Sequence, residues 1–336
     1  MCRTIRWGKS GFAVAVVLGV GILLSVCATA GSITSVNPNR TKGATPPLTK
    51  EERVLVQKTI ELVCKVLGYP ASPNASFSWR RTEDMFQRRN RIQVEAEFVE
   101  FCVETDTGRI ASVSNKQVYR SQAKWEALPD PLPAEYKVTQ ESKNVVETAL
   151  RFARAFTAMP ETYTTTVEFM RSGVGRGRWR VLFRRTLAGF PYDNDLIRVT
   201  VADNTGEFLS FGRYAELGTC PTEVRIGESE AEHTARDIAT KYAKRSLDAG
   251  YGRLIELTIV STEIRIINPN HFFAKVLERN VNLPEAEILE PTCRLAYVVR
   301  IACRFDKMRD ENQPTITVWV DAGTGEILGG WVFPPF

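Results

Sequence analysis

Three stretches of the chain alternate apolar and polar residues with a period of two. Val99, Phe101 and Val103 form the first set, Ile197, Val199 and Val201 the second, and Ile316, Val318 and Val320 the third. Alternation of this kind turns one face of an extended strand towards a core. Each run leads into a short polar segment that ends in Thr-Gly. On that pair "FVEFCVETDTGRIASV", "LIRVTVADNTGEFLSF" and "TITVWVDAGTGEILGG" fall into register. The apolar pattern then resumes at Ile110-Ala111-Ser112, Phe208-Leu209-Ser210 and Ile327-Leu328-Gly329. The repeat predicts three β-hairpins turning at Thr107-Gly108, Thr205-Gly206 and Thr324-Gly325, with glycine supplying a positive φ at no steric cost. These six residues are read as structural turns.

A helical period precedes each hairpin. Val56, Ile60, Val63 and Leu67 share one face behind the capping box Thr49-x-x-Glu52, and Ala231, Ala235, Ile238 and Tyr242 share one behind Ser229-x-x-Glu232. Val145, Ala149, Phe152 and Phe156 have the same spacing without a clear box. Between the second helix and its hairpin, strands are expected at about Tyr163–Met170 and Trp179–Thr186, joined by "SGVGRG". In the first copy the alternation changes parity between Phe98 and Val99, which predicts a β-bulge near Phe98.

The expected fold is therefore α+β, three tandem helix-on-antiparallel-sheet units spanning residues 49–128, 138–216 and 228–336. Residues 31–48 read as a flexible linker, and "LPDPLPAEY" and "GTCPTEVRIGES" separate the units. The third unit carries an insertion at about 268–292, a loop candidate for unit-specific function.

The third hairpin, "LAYVVRIACR" followed by "TVWVDAGTGEILGG", resembles the PepSY domain. The second, "GFPYDNDLIRVTVADNTGEFLSF", is similar to the YcdB/YcdC-type repeat of bacterial exported proteins. With all three copies the resemblance spans most of residues 49–332, the first copy matching least. It implies cystatin-like helix-on-sheet units in envelope or secreted proteins, often linked to inhibition or chaperoning of peptidases. No peptidase domain accompanies them in this chain.

The N-terminus changes the picture of location. Arg3, Arg6 and Lys9 precede an apolar run at 11–26 and the small-residue site Ala28-Thr29-Ala30, the order of a secretory signal peptide. This predicts an extracytoplasmic protein, secreted or held in the envelope. The alternatives are a membrane anchor through residues 11–30 and lipidation at Cys27, although Val26 stands where a lipobox has a small residue. Membrane contact is expected only if that segment is retained. The whole chain of 336 residues carries 44 Lys and Arg against 39 Asp and Glu; without the three cations of residues 1–30 the balance is 41 against 39, or +2. So small an excess argues against a nucleic-acid partner.

Chemistry-bearing residues are few and scattered, and no catalytic, cofactor-binding or metal-ligating residue is assigned. Beyond residue 30 the cysteines are Cys64, Cys102, Cys220, Cys293 and Cys303, an odd number without metal-site spacing. Cys293 and Cys303, ten positions apart on one strand, would lie roughly 33 Å apart and cannot bridge. Cys102 shares a strand face with Glu100 and Glu104 and is expected to be the most reactive thiol. "GVGRG" leads into a strand, unlike a phosphate-binding loop. His233 and His271 are the only histidines. Asp106, Asp203 and Asp321 belong to the turns. Arg80, Arg81, Arg88, Arg89 and Arg91 read as a solvated loop diluted by Glu83 and Asp84. The expected function is a non-enzymatic binding module for an envelope or secreted protein partner, such as a peptidase or wall hydrolase. A wall-associated spacer and a hydrolase whose site converges only in the fold are the alternatives.

Overall fold

The computed structural model describes residues 4–6, 13–16, 46–70, 76–83, 89–122, 140–170, 177–214, 220–247, 251–279, 288–309 and 313–333. The Ala28-Thr29-Ala30 site, most of the apolar run and of the 31–48 linker, "LPDPLPAEY", Arg88, and most of "SGVGRG" lie outside the described residues. Among the described residues no helix is long and apolar enough to cross a membrane. Two short strands, β1 (Thr4–Arg6) and β2 (Ala13–Val16), pair with each other.

The first helix, α1 (Lys50–Leu67), starts as its capping box predicts. Glu52 N donates to Thr49 Oγ1 at 3.2 Å while Thr49 N donates to Glu52 Oε2 at 2.8 Å, so two orphan amides are satisfied reciprocally. The helix closes at Gly68, whose φ of 75° is left-handed. Four strands follow: β3 (Ser78–Glu83), β4 (Asn90–Glu95), β5 (Val99–Glu104) and β6 (Ile110–Asn115), then a short α2 (Lys116–Gln122). The parity change at Phe98 is not a bulge within one strand. Glu95 and Glu100 are cross-strand partners, and Ala96 N donates to Val99 O at 2.9 Å, so residues 96–98 reverse the chain between β4 and β5. A tight turn shifts alternation just as a bulge does, and here no Gly, Pro or Asn marks it.

After α3 (Ser142–Phe156) come β7 (Tyr163–Met170), β8 (Arg178–Leu187), β9 (Phe190–Ala202) and β10 (Phe208–Tyr214). α4 (Glu228–Tyr242), extended by a π-helical turn at Ala243–Leu247, precedes β11 (Leu254–Ile267), α5 (Phe272–Arg279), β12 (Arg294–Phe305), β13 (Thr315–Asp321) and β14 (Ile327–Phe333). The start of α4 departs from the expected capping box. Gly227 is the N-cap, without a side-chain cap, and Glu232 instead accepts a hydrogen bond from Thr262 Oγ1 of β11 at 2.5 Å. A tertiary partner has taken the carboxylate that the local motif would use.

The molecule is α+β, but its strands do not fall into three separate sheets. β6 and β10 pair antiparallel through Ser112↔Gly212, Val113↔Phe211 and Ser114↔Ser210. The order β7-β8-β9-β10-β6-β5-β4-β3 is consequently continuous, with β2 parallel beside β7. α1 and α3 cover one face of this surface over a shared core, in which Ile60, Val63, Phe101, Ala149, Phe156 and Phe211 are buried. Ring centroids of Phe152 and Phe208 stand 4.5 Å apart, and those of Phe156 and Phe211 5.3 Å. Burial of each such side chain stabilises the fold by about 1.5–3 kcal/mol.

β11 to β14 carry a second core under α4 and α5, built on Tyr242, Phe272, Val299, Ile301 and Val318. They join the first sheet at one parallel bridge, Ile266↔Tyr192. Side chains hold this junction. Asp193 Oδ1 accepts from Arg184 Nη1 and from Arg265 Nη1, both at 2.7 Å, and Asn194 Nδ2 donates to Asn268 Oδ1 at 3.2 Å. Asp193 thus ties β8 to β11 with charge-assisted bonds in a half-buried setting.

Candidate interaction surfaces

The three Thr-Gly turns are alike to the level of single hydrogen bonds. Gly108 N donates to Glu104 O at 3.0 Å, Gly206 N to Ala202 O at 2.9 Å and Gly325 N to Asp321 O at 2.9 Å. The amides of Arg109, Glu207 and Glu326 each donate to the Oγ1 of Thr107, Thr205 and Thr324, all at 3.3 Å. The glycines stand at φ 66°, 69° and 78°, where a Cβ is strained. Threonine is thus used for its hydroxyl and glycine for its backbone.

The three turn aspartates have three different tasks. Asp106 Oδ1 accepts from Thr107 N, and Asp321 Oδ1 accepts from Gly323 N and Thr324 N. Asp203 is fully buried and accepts from Trp179 Nε1 at 2.8 Å and from Gln140 N at 3.1 Å. It fastens β8 to the entry of α3, a role that its place beside a turn does not advertise.

The histidines lie apart. His233 faces Asp237 one helical turn away at 3.7 Å in an exposed setting, whereas His271 Nε2 approaches Glu290 Oε1 at 2.9 Å in the insertion. Among the described residues no group of three or more His, Cys, Asp or Glu could hold a metal ion. The described arginines near residue 80 each have a polar or acidic partner, Arg80 and Arg81 on an exposed face of β3. Arg81 forks onto Glu52, Arg80 Nε donates to Gln93, and Arg89 and Arg91 face Glu104 at 3.3 and 3.6 Å. The Arg81 hydrogen bonds hold the Glu52 carboxyl below its ordinary pKa and link β3 to the start of α1 at an exposed site. Cys102 sits opposite Ser112 on the outer strand face, but burial pushes its thiol up, against the reactivity expected of it.

The insertion at 268–292 is not simply a loop. Asn268 and Asn270 are fully buried, and Asn268 Nδ2 donates to the carbonyls of Glu290 and Thr292 at 3.0 and 3.2 Å. Phe272 and Phe273, at the start of α5, pack onto Tyr242 with centroids 5.9 and 5.7 Å away. An "NPNHFF" stretch with two phenylalanines carried that signal, since adjacent aromatics seldom sit in a solvated loop.

Two candidate surfaces stand out among the described residues. A cleft of about 530 Å³ lies between the C-terminal end of α1, α2, α3 and the β9–β10 turn, with Tyr69, Asn115, Arg151 and Glu207 on its walls. Its polar groups are engaged locally: Tyr69 Oη donates to Asn115 Oδ1 at 2.8 Å, and the Arg151 guanidinium stands 4.9 Å from the Phe152 ring centre. The second surface is the edge of β11. N-terminal to the bridge at Ile266, the side of β11 away from β12 meets no other strand among the described residues. Pairing with β12 skips Ile255 and Val260, each the extra residue of a β-bulge. Both are apolar and 53% and 60% exposed, more than any other large hydrophobic residue described. Sequence periodicity alone could not find them, because a bulge breaks the alternation by which an outward residue is recognised.

Comparison with known proteins adds remote likeness to solved structures. No protein-family profile matches the chain, and no curated protein is similar to it. Among solved structures, the Bacillus megaterium YpeB C-terminal domain aligns over 86% of this chain and 98% of its own, with 10% identity and a TM-score of 0.39.

Proposed function

We propose that this protein is an exported, non-enzymatic binding module of three PepSY-like units, each a helix with four strands. The open edge of β11 holds an extended segment of an envelope or secreted partner, such as a peptidase or wall hydrolase. One observation carries the reading. An edge strand ordinarily guards itself with charge, with bulges or with a covering element. β11 has the bulges, yet the residues they push outward are Ile255 and Val260. Arg236 Nη1 of α4 already engages Leu257 O at 2.8 Å, so an added strand would draw on the remaining edge backbone groups for affinity and on these two side chains, about 16 Å apart along the strand, for selection.

The test adds purified protein to the envelope fraction of its own host and follows peptidase and wall-hydrolase activity against dose. Wild type is expected to change one of these activities and to co-purify with the responsible enzyme. A variant carrying Ile255→Asp and Val260→Asp should lose both effects while melting within about 2 °C of wild type, because exposed positions contribute little to stability. An unchanged activity with wild type, or full activity of the double variant, would defeat the proposal.

A further inference from the structure

Residues 220–227 carry the chain from β10 towards α4, and they do so pressed against the second core, that of β11 to β14. Arg225 N and Ile226 N both donate to Ala322 O, at 2.8 and 3.1 Å, while Ala322 N donates to Leu295 O at 2.9 Å. Tyr297 Oη donates to Ile226 O at 2.9 Å. The crossing segment is thereby fixed beside the start of β12, where Cys293 immediately precedes Arg294. Cys220 is buried in the cluster that contains Ala322 and Leu295, and Cys293 packs half-buried against that same cluster. The Cys293 thiol is near enough to Cys220 to raise its pKa directly.

We propose that Cys220 and Cys293 are a disulfide-forming pair that clips the crossing segment to β12 once the protein reaches an oxidising compartment. The inference rests on the export reading and is independent of the β11 edge. Cys293, the more accessible of the two, attacks the disulfide of a thiol–disulfide oxidoreductase, forming a mixed disulfide and releasing one thiol of that catalyst. Cys220 then gives up its proton and attacks the Cys293 sulfur, which forms the Cys220–Cys293 bond and releases the second thiol. Two protons and two electrons pass from the protein to the catalyst, whose disulfide becomes a dithiol. Burial, together with the neighbouring Cys293, pushes the Cys220 thiol up, so Cys220 is a poor nucleophile for other chemistry and the second step depends on proximity. The bridge closes a loop of roughly 70 residues, a length at which a cross-link restricts the unfolded chain substantially.

The experiment takes the chain from its own host, blocks thiols before lysis, and maps peptides without reduction. A peptide joining Cys220 to Cys293 is expected. The melting temperature should fall by roughly 5–10 °C on reduction. Cys293→Ser should melt with the reduced wild type and ignore oxidised glutathione, and Cys220→Ser serves as the second variant if that one fails to fold. Full alkylation of both cysteines in the native-host protein, or a bridge from either one to a different cysteine, would overturn the proposal. Neither result bears on whether the β11 edge binds a partner.

Discussion

β10 and β14 are the last strands of equivalent hairpins, and their outer edges are completed in opposite ways. β10 gives its edge to β6, backbone to backbone, and the sheet continues. β14 meets a side chain. Asn270 Nδ2 donates to Gly330 O at 2.8 Å, Gly330 N donates to Asn270 Oδ1 at 3.0 Å, and His271 N donates to Leu328 O at 3.0 Å. The asparagine amide imitates one residue of a missing strand and the sheet stops there, its edge covered. Close approach is possible only because β14 carries Gly329 and Gly330. A Cβ on Gly329 would lie 1.9 Å from Asn270 Oδ1, and one on Gly330 2.9 Å from Phe273 Cε2 of α5 as well as 1.9 Å from Thr317 O of β13. At Gly212 in β10 the nearest atom, Arg198 Nη2, would be 3.5 Å away. One hairpin design can therefore extend a sheet or end it, and the segment brought to its outer edge decides which.

The contrast is most exposed to failure at these glycines. Gly330→Ala places a Cβ against a carbonyl and strains a φ of 147°, so a loss of about 3 kcal/mol or more is expected in urea unfolding. Gly212→Ala should change stability by less than about 1 kcal/mol. Equal effects at the two positions would show that the edges are not managed differently.

Asn270→Ala comes next. It leaves the N–H and C=O of Gly330 buried without partners, which costs about 2–3 kcal/mol. Hydrogen exchange should accelerate at the Gly330 amide while the Phe211 amide, inside the continuous sheet, stays protected. Unchanged protection at Gly330 would mean that the asparagine does not complete the edge.

Much of this was legible in sequence because it is local. Alternation and the Thr-Gly pair located the hairpins, and the capping box located the start of α1. What escaped depends on pairs distant along the chain. Nothing in Ser112, Ser114, Ser210 or Gly212 tells that β6 will meet β10, since small residues suit a close strand pair and a solvated surface equally. Glu232 reads as a capping residue until Thr262 is brought beside it. Asp203 reads as turn chemistry until Trp179 is found beneath it. The double glycine of "EILGGW" was counted as part of the repeat, whereas its reason is Asn270, 60 residues earlier. The candidate edge at β11 was hidden for the same cause: Ile255 and Val260 are outward only because of how β12 pairs.

The turns themselves should respond alike wherever their edges end. Gly206→Val and Gly325→Val force a β-branched residue to φ near 69° and 78°, at about 1–2 kcal/mol or more each. A large loss in one turn and none in the other would break the equivalence of the hairpins.

The smallest effects concern the threonines, and they sharpen the comparison most. In all three turns Thr Oγ1 accepts the amide two residues on at the same 3.3 Å. Replacing Thr205 or Thr324 by Val keeps shape and branching while deleting that acceptor, so about 0.5–1 kcal/mol should be lost in each. Serine keeps the acceptor, and Thr324→Ser should cost less than about 0.5 kcal/mol. Glu326→Gln should be equally mild, because among the described residues the carboxylate accepts from Thr324 Oγ1 alone, at 3.3 Å on an exposed surface. Thermal melts of the four variants, run beside partner binding, separate the two uses the turn could have. If Glu326→Gln abolished binding with its melt unchanged, the third turn would be a recognition site, and its likeness to the second would be one of backbone alone.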